Sequence, residues 1–181
     1  MATYRDKARE IALGQYGFIS TDDAQEEGIP PGELAKLAAR GRLRNVAYGL
    51  YRFDDIPSTP YDQFYEAVRR IGGDAHLTSD AVLAVHNLAQ VNPRRIRVGT
   101  SRRFRGKTPA WLEVVQEQVG PEELTVVEQV PTVTLRRAMR DAQRFVMTNR
   151  LLEAIPRAEN AGLLTEVEAA ELRDELASRS P

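Results

Sequence analysis

At 181 residues, 42% of them hydrophobic and 28% charged, the chain has the make-up of a globular protein that can bury one core or two small ones. It contains no cysteine, which excludes disulfides, thiolate catalysis and cysteine-ligated zinc. Apolar runs such as Ala81 to Val85 are too short to cross a bilayer, and the first residues hold no signal-peptide apolar stretch, so no membrane partner and a cytoplasmic location are expected.

The net charge of −1 conceals a segregation along the chain. From Pro30 to Arg52, Lys36, Arg40, Arg42, Arg44 and Arg52 face Glu33 alone, and Arg94 to Lys107 holds seven bases and no acid. Glu113, Glu117, Glu122, Glu123 and Glu128 follow without a base between them.

In chain order, Ala8, Ile11 and Ala12 give an amphipathic helix from Tyr4 that Gly14 and Gly17 end. Ser20 with Asp23 reads as a capping box opening a second helix, and Gly28 supplies its left-handed stop. Pro30-Pro31 suits the first turn of a third helix, whose apolar stripe is Leu34, Leu37 and Ala38 and whose terminator is Gly41. Two short helices joined across a glycine predict a helix-turn-helix. Leu43 to Val46 and Leu50 to Phe53 predict a hairpin, the wing, with Gly49 in its loop. The predicted fold is therefore α+β: a winged helix-turn-helix over residues 1–55, a Pro- and Ser-containing linker over 56–60, and a mixed α/β domain over 61–181.

In that second part, Phe64, Tyr65, Val68 and Ile71 predict a helix from Tyr61, and Thr78 is placed to cap another through Leu88. Strands are expected at Ile96 to Thr100, Leu112 to Val119 and Leu124 to Thr134, the last at an edge or bent because of Pro131. Helix resumes from Leu135 towards Met147, and two more follow, the last opened by Thr165 and Glu168.

Glu33, Lys36 and Arg40 share one face of the third helix, opposite its apolar stripe. That face suits a major groove, with Arg42, Arg44 and Arg52 as phosphate contacts from the wing and its approach. The bland alternative is a solvated polar face on a small helical core. The cluster Arg94, Arg95, Arg97, Arg102, Arg103, Arg105 and Lys107 reads as a second polyanion contact or as a surface loop neutralised by the acidic stretch after it. Catalytic and metal sites are not expected. His76 and His86 match no ligand spacing, no phosphate-binding glycine loop occurs, and the carboxylates lack the clustering that Mg²⁺ needs. No cofactor is expected.

Gly17-Phe18-Ile19-Ser20-Thr21, Ala24, Gly28-Ile29-Pro30, Leu34, Leu37, Arg40-Gly41-Arg42-Leu43 and Gly49-Leu50-Tyr51 resemble the N-terminal domain of AbiEi-type antitoxins. His76-Leu77-Thr78-Ser79 and Val130-Pro131-Thr132-Val133-Thr134 are similar to the C-terminal half of the same family. The resemblance implies a transcriptional autorepressor that binds inverted repeats in its own promoter and counters a nucleotidyltransferase toxin. It places DNA contact at Lys36, Arg40, Arg42 and Arg44 and antitoxicity in the second domain. Because a nucleotide- and RNA-binding toxin is expected to be electropositive, Glu113, Glu117 and Glu122 are the expected toxin contacts. A winged-helix regulator or adaptor without a toxin is the alternative.

Overall fold

The computed structural model describes residues 3–178 and divides at Arg70/Ile71 into two compact units. In the first, Thr3 and Asp6 form a reciprocal capping box at the start of α1 (Tyr4–Leu13). Tyr16 and Gly17, both at positive φ, turn the chain into β1 (Phe18–Ser20), which sequence patterning misses because three residues show no periodicity. Ser20 and Asp23 then cap α2 (Thr21–Glu26) as the sequence predicts.

The third helix starts later than expected. Gly32 lies at φ 82°, which only glycine adopts easily, so Pro30 to Gly32 form the turn and α3 spans Glu33–Ala39. Its first backbone bond runs from the Lys36 N–H to the Gly32 carbonyl, 3.0 Å. β2 (Arg44–Ala47) and β3 (Leu50–Arg52) make the expected hairpin, and β1 joins it in the order β1-β3-β2. Ala8, Ala12, Ile19, Leu34, Leu37 and Phe53 share the core beneath them.

The unit does not end at residue 55. α4 (Asp62–Ile71) belongs to it up to Arg70, and residues 56–60, read from sequence as a linker, lie inside it. Two polar ties and one aromatic group explain why. Arg52 donates to Asp62 at 2.8 Å and to Ser58 at 3.0 Å, and Arg69 donates to Asp23 and Ser20. The Tyr65 ring lies 5.2 Å from Tyr16 and 5.9 Å from Phe18, centroid to centroid. Pro57 and Pro60 stiffen a connection that the flanking residues hold down.

The second unit is built on a five-stranded sheet in the order β6-β5-β4-β8-β7, from β4 (His76–Leu77), β5 (Ile96–Thr100), β6 (Leu112–Gln116), β7 (Leu124–Val127) and β8 (Val130–Val133). β5 runs parallel to β6 and β4 parallel to β8; the other pairs are antiparallel. α5 (Asp80–Val85) starts after Thr78, not from it, because the Thr78 N–H continues the ladder to the Arg97 carbonyl at 3.1 Å. α6 (Leu135–Ala142), α7 (Thr148–Asn160) and α8 (Glu166–Ser178) pack with Leu83 through Met139, Leu151, Ile155, Leu172 and Leu176. Glu175 of α8 accepts from both Arg136 and Arg140 of α6. Thr165 and Glu168 cap α8 reciprocally, as expected.

The run from Leu124 to Thr134 is a hairpin, not one strand bent at Pro131. Pro131 sits in β8, an inner strand, opposite Val126. The reversal is made by Glu128 at φ 47° and Gln129 at φ 59°. A two-residue hairpin loop with both φ positive favours Asn-Gly, and neither residue here carries that signal. Gln129→Gly is accordingly expected to stabilise the chain by about 1 kcal/mol. A raised denaturant midpoint at unchanged slope is the readout; a lowered one would show that the Gln129 side chain contributes more than its backbone costs.

Candidate nucleic-acid interface

Leu34 and Leu37 turn one side of α3 into the core, which leaves Glu33, Lys36 and the residues after the helix outside. Lys36 is 62% exposed and donates to Glu33 at 2.8 Å. Arg40 lies just past the helix at its C-cap and Arg42 in the turn before β2; both are exposed and form no ion pair among the described residues. Arg44, on β2, meets Asp54 at 3.1 Å with both side chains more than half exposed. Such surface pairs contribute little and exchange readily for a phosphate.

Arg52 is a correction. It is 7% exposed, bound to Asp62 and Ser58, with its guanidinium 5.5 Å from the Phe18 ring centroid. A side chain so engaged braces α4 against β3 and is not a phosphate contact. Sequence reading also missed Tyr48, at the tip of the β2–β3 hairpin and fully exposed. An aromatic residue beside the hairpin glycine was the available signal.

The second basic cluster does not form one surface. Arg97 is taken out of it by Asp80, which accepts two 2.7 Å bonds, and by Glu113 at 3.4 Å. Arg102 pairs with Asp74 at 3.6 Å while remaining 67% exposed. Arg94, Arg95, Arg103, Arg105 and Lys107 are exposed.

The acidic residues also separate. Glu113 serves Arg97, Glu122 is exposed on a short 3-10 turn (Pro121–Glu123), and Glu117 is 13% exposed with His76 at 3.2 Å and Arg137 at 3.7 Å. Glu117 is thus an internal anchor and not part of an open partner-binding face.

Both His76 ring nitrogens face acceptors. Nδ1 lies 2.9 Å from the Asp74 carbonyl and Nε2 3.2 Å from Glu117 Oε1, a pairing that only the imidazolium satisfies fully. Burial pulls its pKa down, but the bonds to Glu117 and Asp74 and their charges outweigh it and hold it above the ordinary histidine value. For Glu117, burial raises the pKa, whereas hydrogen bonds from His76 and Thr78 and the charges of His76 and Arg137 hold it below the usual carboxylate value.

The His76 contribution is therefore complete below the unfolded histidine pKa and disappears as pH rises through the folded one. The Glu117 contribution is present above the unfolded carboxylate pKa and disappears as pH falls through the folded one. Thermal stability should decline as pH climbs through the raised His76 pKa, and His76→Gln should flatten that limb. An unchanged slope in the variant would rule the pair out as its source.

Gly99 is needed where this pair crosses β5, since an added Cβ would lie 2.1 Å from Glu117 Oε1 and 2.5 Å from His76 Nε2. Among the described residues no three His, Asp or Glu side chains gather as a metal site. No helix among them is long and apolar enough to cross a membrane.

The exposed arginines after α3, the hairpin behind them and the core below lie almost wholly within one stretch that a family model recognises. Residues 6–53 match the transcriptional regulator, AbiEi antitoxin family. The resemblance carried by Gly17 to Tyr51 is thereby shown, for a regulator and antitoxin family. The AbiEi match runs from α1 to the residue after β3 and lies within the first unit. No curated protein matches the chain.

Proposed function

We propose that the chain is a cytoplasmic, non-enzymatic DNA-binding antitoxin. In this reading the first unit is a winged helix-turn-helix that represses the chain's own promoter at inverted repeats, and the second counters a nucleotidyltransferase toxin. The observation that carries the DNA-binding part is the succession α1–β1–α2–α3–β2–β3 with Arg40 and Arg42 exposed between α3 and the hairpin. α2 and α3 serve as the helix-turn-helix, α3 enters the major groove, and Tyr48 at the wing tip reaches the adjoining backbone or minor groove. Lys36, Arg40, Arg42 and Arg44 neutralise phosphates or read guanine edges, and Glu33 orients Lys36. The exposed bases Arg103, Arg105 and Lys107 of the second unit add a polyanion contact of longer range.

Two measurements test the reading. A gel-shift titration of the full-length chain on the DNA upstream of its own coding sequence should give a specific complex whose affinity falls steeply with salt. If a nucleotidyltransferase is encoded beside it, co-production of the two should restore growth. Promoter binding without rescue would favour the alternative, a regulator without a toxin partner. Among the acids, Glu122 is the one to reverse in the rescue assay, since Glu113 and Glu117 hold internal partners.

A further inference from the structure

The second unit contains a cleft of about 520 Å³ whose lining sets four arginines, Arg94, Arg95, Arg97 and Arg150, against two carboxylates, Asp80 and Glu113. Both carboxylates are committed to Arg97, at 2.7 Å and 3.4 Å. Arg94, Arg95 and Arg150 are exposed and form no ion pair among the described residues, so the cleft keeps an uncompensated positive charge. Its apolar lining includes Val91, Met147 and the one aromatic ring, Phe145, which is half exposed although the Arg97 guanidinium lies 3.5 Å from the ring centroid. The amide side chains of Gln90 and Asn92 complete the rim.

We propose that this cleft binds a nucleoside phosphate, with the base stacked on Phe145 and the phosphates held by Arg94, Arg95 and Arg150. Three unpaired guanidinium groups suit phosphate oxygens, which they can meet with paired N–H donors. A ring backed by a guanidinium on one face and half open to solvent suits a base on the other face, the arrangement that aromatic platforms use for unstacked bases. Gln90 and Asn92 can pair with a base edge, because an amide offers both a donor and an acceptor. The volume falls within the roughly 300–1,000 Å³ of small-molecule sites. A duplex is excluded, since its bases present edges and not faces. An acidic peptide would engage the arginines equally well but gives the amides and the ring no comparable role. The inference stands apart from the DNA-binding reading, because the cleft is lined by none of the residues that reading assigns to DNA, neither those around α3 and the hairpin nor Arg103, Arg105 and Lys107.

The test is calorimetric titration of the full-length chain with ATP, GTP and inorganic triphosphate, in chelator so that no metal contributes. The nucleotides are expected to bind about tenfold more tightly than triphosphate, the difference being the stacked base. Phe145→Leu should remove that difference and leave triphosphate unaffected, whereas Arg94→Ala with Arg95→Ala should weaken all of them. Unchanged circular dichroism and thermal midpoint in each variant show that the fold is intact. A short single-stranded oligonucleotide titrated alongside identifies the source: tighter binding than the free nucleotides, with the same Phe145 dependence, places the base on a strand. Equal affinity for ATP and triphosphate, indifference to Phe145→Leu, or no nucleotide binding up to the millimolar range overturns the proposal. Binding of a glutamate-rich peptide in place of nucleotides does so too.

Discussion

Replacing both Arg40 and Arg42 with alanine is expected to weaken promoter binding by on the order of a hundredfold while leaving the thermal midpoint unchanged. Both side chains are exposed and form no ion pair among the described residues, so their removal breaks no contact within the fold. Each contact to phosphate or base contributes roughly 1–3 kcal/mol, and two of them give that factor. If both meet phosphates, the slope of log affinity against log salt should also become shallower by about 2. Arg173→Ala, at an exposed position on α8, is the control and should leave both quantities as they are. Lys36→Ala should have a smaller effect, because Lys36 must leave Glu33 before it contacts DNA. Equal binding by the Arg40/Arg42 and Arg173 variants would remove the α3 face and its exit turn from the interface.

The elements that sequence reading recovered are those whose signal is local. Capping boxes at Ser20 and Thr165, the Gly49 hairpin and the apolar stripe of α3 depend on residues a few positions apart, so a single sequence displays them. What escaped depends on partners far along the chain. Nothing near Arg52 shows that its charge belongs to Asp62, nor near Glu117 that it faces His76, 41 positions away. A run of like charges looks the same in sequence whether its members are solvated or bound, and Arg97 and Glu117 are among the bound ones. The hairpin at Glu128 and Gln129 was hidden for a different reason. Its backbone adopts a conformation its residue types disfavour, so pairing across the sheet overrode local preference. The DNA-contact candidates Arg40 and Arg42 were legible because exposed bases on a short helix exit need no distant partner to be placed there.

A fragment ending at Asp55 is expected to be unfolded, and one ending at Arg70 to fold cooperatively. The difference is α4. Phe64, Tyr65 and Val68 are buried on it, and burying each such side chain contributes about 1.5–3 kcal/mol. Removing Asp62 leaves the Arg52 guanidinium, 8% exposed and against the Phe18 ring, without its main partner, a loss of about 3–5 kcal/mol for a buried pair. Removing Arg69 frees Asp23, the N3 residue of the α2 capping box, from its second partner. Phe18, 1% exposed, also loses Tyr65 beside it. These losses fall on a small domain, whose net stability is a narrow margin between large opposing terms. The same arithmetic applies to one atom group in the intact chain: Arg52→Ala should lower the stability of the first unit by about 3–5 kcal/mol and abolish DNA binding through unfolding, with the loss visible in the melting curve. Asp62→Asn, which keeps an acceptor but not the charge, should fall between the variant and the parent chain. A sharp thermal transition in the fragment ending at Asp55 would show that the three-stranded sheet and its three helices suffice, and that Arg52 and α4 are attached to a fold that does not need them.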